Sequence, residues 1–175
     1  VNRDTNELVQ LNFVPVSQGF FAGMLEIVSD DPERPLVQIP LRGFGGQPAI
    51  TLEPDAIDFG IVNEGPGSAR LVRVTNTGFD TLDVTGMQIE GEGADTGGPA
   101  SAFAIDPEVP QTAQLEIGES LDVTVRMNPT ASAVGAAAGE PLAAELVVES
   151  NASNAPRATA ALTGTANLAP DAIAV

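Results

Sequence analysis

The side chains able to do chemistry in this chain are almost all carboxylates. Two acidic loops stand out, Asp30-Asp31-Pro32-Glu33 and Glu90-x-Glu92-x-x-Asp95. Oxygen donors gathered in a turn are what a hard cation such as Ca²⁺ takes, so Asp30, Asp31, Glu33, Glu90, Glu92 and Asp95 are the candidate calcium ligands. Neither loop has the spacing of an EF-hand or of an RTX calcium repeat. With 24 Asp and Glu among 175 residues, acidic neighbours also arise with no metal to hold, and a solvated turn is the competing reading. Paired carboxylates can also hydrolyse glycosides, but the aromatic platforms on which sugars stack are missing, because Trp and Tyr are absent. Gly91-Glu92-Gly93 has no strand-to-helix context, and its carboxylate would repel a phosphate. Asn151-Ala152-Ser153 has the form of an N-glycosylation acceptor, and an Asn is equally expected there as a turn residue.

What is missing narrows the chemistry further. There is no Cys and no His, so a thiol nucleophile, an imidazole base and the usual zinc ligands are excluded. No catalytic residue and no resident cofactor are assigned; calcium is the one ion the composition offers a place to. The formal net charge is −17, and the seven basic residues are all Arg. Binding to nucleic acid or to an anionic membrane surface needs clustered cations and is excluded. No stretch of about 18 apolar residues exists to span a bilayer as a helix.

The elements that must carry these loops are strands. Residues Leu142 to Gly164 repeat, without a gap, the pattern of Phe21 to Gly43: Leu25 falls on Leu146, Ser29 on Ser150, Pro35 on Pro156, Leu41 on Leu162 and Gly43 on Gly164. In each copy an alternating strand enters a polar turn, meets a Pro and leaves as a second alternating strand, the signature of two antiparallel strands. Upstream, Val9 to Pro15 falls on Val123 to Pro129. Apolar residues recur with period 2, turn signals arrive about every 8 to 12 residues, and helical spacing appears over no useful length.

Expected strands in the first part are Leu8–Phe13, Met24–Val28 and Leu36–Leu41. In the second they are Ala49–Leu52, Ala56–Phe59, Ser68–Asn76, Leu82–Ile89, Ala102–Ile105, Gln114–Ile117, Leu121–Met127, Leu142–Glu149 and Ala158–Thr163. Leu71 and Val74 are expected inside, with the register open around Val72, and a bulge is expected before Met87. Phe59, Phe103, Leu82, Val84, Val123, Val125, Leu146, Val148 and Leu162 are the expected core. Glu90–Ala100 and Thr130–Pro141 read as Gly-rich loops that do not pack on their own. Asn76-Thr77-Gly78 reads as a turn whose Asn and Gly tolerate the left-handed region.

Taken in order, Ile57-Asp58-Phe59-Gly60, Asn76-Thr77-Gly78, Leu82-Asp83-Val84, Phe103-Ala104-Ile105, Ile117-Gly118-Glu119-Ser120, Met127-Asn128-Pro129, Glu149-Ser150-Asn151 and Leu162-Thr163-Gly164-Thr165-Ala166 resemble the hydin-like (ASH-type) immunoglobulin domains of bacterial choice-of-anchor D surface proteins. Met127 and Ile117 depart from the Phe and Pro usual in that pattern. The tail from Asn167 resembles the opening of a PKD-like domain. The resemblance implies an all-β fold of tandem immunoglobulin-like antiparallel β-sandwiches, one partial and one complete. Residues 1–46 would be the C-terminal half of a first domain plus linker, 47–166 a complete domain, and 167–175 a linker or the first strand of a following one.

The functional expectation is a non-enzymatic structural or adhesion module on the outside of a prokaryotic cell. Its partners would be neighbouring immunoglobulin-like domains, copies of itself polymerised by strand addition, or surface and filament proteins. The alternative is an accessory or ligand-binding domain of a larger secreted enzyme. The three strands of residues 1–43 cannot close a sandwich. Their apolar face, made of Val9, Leu11, Phe13, Leu25, Ile27, Val37, Ile39 and Leu41, must be covered either by earlier strands of the same gene product or by the Leu168–Val175 tail of a neighbouring copy.

Overall fold

Alternating Val, Ile, Leu and Phe make strands of most of this chain, because a period of 2 presents one side to a core and the other to water. The computed structural model describes residues 8–15, 17–65, 67–131 and 139–168, and is all-β in class. It divides into two compact units between Gly46 and Gln47.

The first unit is a hairpin of β1 (Gly19–Val28) and β2 (Leu36–Gly45), antiparallel, with Leu25 opposite Ile39 and Phe21 opposite Gly43. Both strands run longer than the sequence pattern marks. Leu8–Phe13, expected as a strand, is irregular: no strand lies beside it among the described residues, and a strand without a ladder is only extended coil. Phe13 nevertheless sits edge-on to Phe21, ring centroids 5.7 Å apart, above Gly43, where a Cβ would meet its ring.

The second unit is a two-sheet sandwich. One sheet holds β3 (Ile50–Glu53), β5 (Ser68–Asn76), β9 (Ser120–Met127) and β7 (Phe103–Ile105) in the order β3-β5-β9-β7. The other holds β4 (Ala56–Asn63), β6 (Leu82–Glu90), β8 (Ala113–Leu115), β10 (Pro141–Ser150) and β11 (Arg157–Asn167) in the order β4-β11-β10-β6-β8. All pairings are antiparallel except β4 with β11, which is parallel, so the purely antiparallel sandwich expected is corrected at that edge. The cause is a sheet switch: the chain leaves β3 at Glu53, crosses at Pro54-Asp55 and continues as β4 on the opposite sheet, beside the last strand.

All nine residues expected in the core are buried, joined by Val72, Val74, Met87, Leu115, Met127, Leu142 and Ala160. Leu71 is a correction: it is 55% exposed, while Val72 and Val74 are fully buried. Asn76 points inward with them, which fixes the parity of β5 and turns Leu71 outward. The bulge expected before Met87 is present: Glu149 faces Gly86 and Ser150 faces Val84, leaving Thr85 as the extra residue on β6. That extra residue lets Leu82, Val84 and Met87 all face the core. Ile117, expected at the end of a strand, lies in a turn and is exposed, since Glu119 closes that turn through the Glu116 amide. Ala102 closes a 3-10 turn, Pro99–Ala102, rather than opening a strand.

Candidate functional site

Each acidic candidate is built into its turn differently. Asp31 is a turn cap: its Oδ1 accepts the Glu33 amide at 2.8 Å and the Arg34 amide at 3.4 Å. Ser29 completes the turn, its Oγ donating to the Arg34 carbonyl at 2.8 Å and accepting the Asp31 amide. The turn holds itself through Ser29 and Asp31, and leaves Asp30 and Glu33 exposed beside it. Glu90 has a cation already. It accepts from Arg157 Nη2 at 2.6 Å and from Gln88 Nε2 at 2.7 Å, and the Arg157 guanidinium holds its carboxyl below the usual carboxylate range. This pair spans from β11 to β6 across β10, where Val147 is fully buried although its neighbours Leu146 and Val148 are the ones in the core. Glu92 and Asp95 are exposed. Among the described residues, no three acidic side chains come together as a metal site.

The Glu90–Ala100 loop corrects another expectation, because it packs on itself. Gly98 donates to the Gly93 carbonyl at 2.8 Å, the Ala100 amide to the Glu92 carbonyl at 3.0 Å, and Ala100 is fully buried. Gly93 and Gly98 approach so closely that a Cβ on either would strike the other's backbone. Residues 132–138 of the other Gly-rich loop, and the tail 169–175, lie outside the described residues.

Asn151 is held rather than offered. Its Oδ1 accepts the Asp83 amide at 2.9 Å, and its Nδ2 donates to Asp83 Oδ2 at 3.1 Å. The same turn carries two more ties. Asn154 accepts the Ile50 amide at 2.9 Å and donates back to the Ile50 carbonyl at 2.8 Å. Ser153 gives the Pro48 carbonyl both its amide, at 2.9 Å, and its hydroxyl, at 3.0 Å. One turn of the β10–β11 hairpin thus locks β6 of its own sheet and β3 of the opposite sheet. Asn154 lay outside the sequence reading, and Ser153 entered it only as the third residue of the glycosylation triplet; a run of four polar turn residues and Ala was the signal.

The other polar centre that sequence reasoning under-read is Asn76. It is fully buried, its Nδ2 donates to the Asp80 and Leu115 carbonyls at 2.8 and 2.9 Å, and its Oδ1 accepts the Gly78 amide at 2.9 Å. Every polar atom of the side chain is satisfied, as burial requires. Neither Asn76 nor Gly78 takes a positive φ. The Asn-Thr-Gly stretch is therefore not a left-handed turn: Gly78 is needed because the Gln47–Ala49 backbone passes where a Cβ would be.

No protein-family model and no curated protein matches the chain. Among solved structures, a protein of unknown function from Porphyromonas gingivalis W83 is similar with a TM-score of 0.53 at 15% identity, over 86% of this chain and 67% of that one. The ASH / PapD-like domain 7 of human CEP192 gives a TM-score of 0.48 at 17% identity, over 71% and 89%. The periplasmic chaperone SfaE gives 0.46 at 13%, over 70% and 60%. At these identities the likeness concerns fold alone, and the fold this chain shows by its own strand order is an all-β, two-sheet sandwich.

Proposed function

We propose that this chain is a non-enzymatic segment of a tandem immunoglobulin-like array working at or outside the cell surface as a structural or adhesive element. One observation carries the reading: the hairpin of the second unit recurs in the first with the same register and the same turn bond. Leu146 faces Ala160 as Leu25 faces Ile39, and Leu142 faces Gly164 as Phe21 faces Gly43. Ser150 donates to Pro156 at 2.8 Å as Ser29 does to Pro35 at 3.0 Å. Serial copies of one sandwich, joined by the short connector around Gly45-Gly46-Gln47-Pro48, are how a chain builds length without building a catalytic cleft. The test is to label intact cells with an antibody raised against residues 47–168 and to image the isolated gene product by electron microscopy. Surface labelling and an elongated, beaded particle are expected. A compact particle that degrades surface polysaccharide would replace this reading with that of an enzyme's accessory domain.

A further inference from the structure

The first unit leaves much of its inner side open to solvent, with Leu25 and Leu41 half-buried and Ile27, Val37 and Ile39 exposed. The residues that match the buried face of β10–β11 are Leu25, Ile27, Val37, Ile39 and Leu41; Ile27 is 41% exposed and Ile39 42%, against zero for their counterparts Val148 and Ala160. Phe13 lies above Gly43 as Met127 lies above Gly164, so among the described residues of the first unit this piece of the opposite layer occupies its equivalent place. In the second unit the β10 edge takes β6 antiparallel, the β11 edge takes β4 parallel, and the turn between them clamps β6 through Asn151 and β3 through Asn154. By the repeat, Asp30 stands at the place of Asn151 and Glu33 at the place of Asn154.

We infer that the exposed face, the two outer edges and the acidic turn of the first unit are the docking surface for strands of the β3–β6 type lying N-terminal to it in the same polypeptide. Asp30 and Glu33 are the clamps that accept backbone N–H groups from those strands. The source follows from order. In the second unit the covering strands come from the 76 residues Gln47–Asp122, which precede the point that matches Val9. The chemistry of the occupant follows from the substitutions. Two amides that both accept and donate are replaced by carboxylates that only accept, so the occupant presents N–H groups and no acidic side chain where Asp83 stands in β6. Pro32 matches Ser153 and has no N–H, so the third tie of that turn is absent. The inference stands on the internal repeat and not on the proposed role: a stalk and an enzyme's accessory domain would both need these strands.

The experiment is hydrogen exchange on the gene product purified from its natural source, with its intact mass, beside the 175-residue chain. Expected in the natural product is strand-forming sequence of about the length of Gln47–Asp122 ahead of Val1, with β1 and β2 amides exchanging as slowly as those of β10 and β11. In the 175-residue chain the same amides should exchange fast, in a monomer that binds a hydrophobic dye. Asp30→Ala and Glu33→Ala should speed exchange around the turn in the natural product only, and Asp30→Asn should restore the slow rate. A natural product starting within a few residues of Val1 overturns the inference. So does slow exchange in a dimer of the 175-residue chain, which would make a second copy the occupant, and more so if deleting residues 167–175 abolishes it. Calcium-dependent protection of the turn in the 175-residue chain would overturn the clamp assignment.

Discussion

The hairpins β1–β2 and β10–β11 have one register, one turn hydrogen bond and one pattern of apolar residues, and opposite fates. Leu146, Val148, Ala160 and Leu162 are buried to the last few per cent, while Ile27, Val37 and Ile39 remain exposed. Register is a local property, fixed by the turn and the alternation; burial is a property of what lies across the sandwich. The pair separates the two contributions within one molecule. The tighter hairpin also carries smaller residues, Ala158 and Ala160 where the looser one has Val37 and Ile39. The covered face is filled by its neighbours, and a strand packing on the first hairpin would have to leave room for larger side chains.

The largest expected effect is the loss of a core side chain on one side of the comparison only. Leu146→Ala should lower the stability of the second unit by about 2–5 kcal/mol in denaturant unfolding. Its counterpart Leu25→Ala should leave the main transition of the 175-residue chain where it was. A comparable cost for Leu25 would mean that its face is already covered. Next comes Asn76→Ala, which strands the Leu115 carbonyl in a buried place; each buried group left unpaired costs about 1–3 kcal/mol. Asn76→Asp should not rescue it, because the two N–H donors are gone while the acceptor remains. Smaller still is Asn154→Ala, which removes two bonds to Ile50 and should cost about 1–2 kcal/mol, with faster exchange at the Ile50 amide. Glu33→Ala in the 175-residue chain should cost nothing measurable, and a loss equal to that of Asn154→Ala would erase the distinction between the two turns.

Much of this was legible because it is periodic. Val123, Val125, Leu146, Val148 and Leu162 could be placed inside from alternation alone, and Gly86 marked the bulge. Leu71 misled because Val72, Arg73 and Val74 give β5 two defensible parities, and only the buried Asn76, a polar residue in an apolar place, decides between them. Leu8–Phe13 misled for the opposite reason: its pattern is a strand's, but the pairing that would make it one is not local. The clamps at Asn151 and Asn154 were invisible because their partners, Asp83 and Ile50, lie 68 and 104 residues away. The parallel pairing of β4 is long-range in the same way.

The units differ also in charge, and this gives the smallest and most easily measured prediction. Residues 1–46 hold six acidic and three basic side chains, a net −3; residues 47–175 hold eighteen and four, a net −14, which together give the −17 of the chain. Three of those four Arg are paired: Arg73 with Asp122 at 2.7 Å, Arg126 with Asp106 at 2.6 Å and Arg157 with Glu90 at 2.6 Å. The carboxyls of Asp122 and Glu90 are held below their ordinary range by these guanidiniums, and that of Asp106 by the Glu108 amide first and Arg126 second. A carboxyl whose folded pKa lies below its unfolded value contributes stability that is fully present above the unfolded value, about 3.9–4.3, and is lost as pH falls through the folded one. The unpaired carboxylates act in the other direction, since protonating them relieves the repulsion of the −14. The melting temperature of the second unit should therefore stay level or rise slightly from pH 7 to about 5, and fall below about pH 4 as the pairs are lost. At pH 7, added NaCl should raise it by screening net repulsion that two exposed pairs and one pair with a buried carboxylate, Asp106, cannot offset. At pH 3 that salt benefit should shrink. A melting temperature that falls with NaCl at pH 7 would show that the ion pairs outweigh the repulsion, and an equal ionic strength of Ca²⁺ that raises it further would return the acidic loops to the list of metal sites.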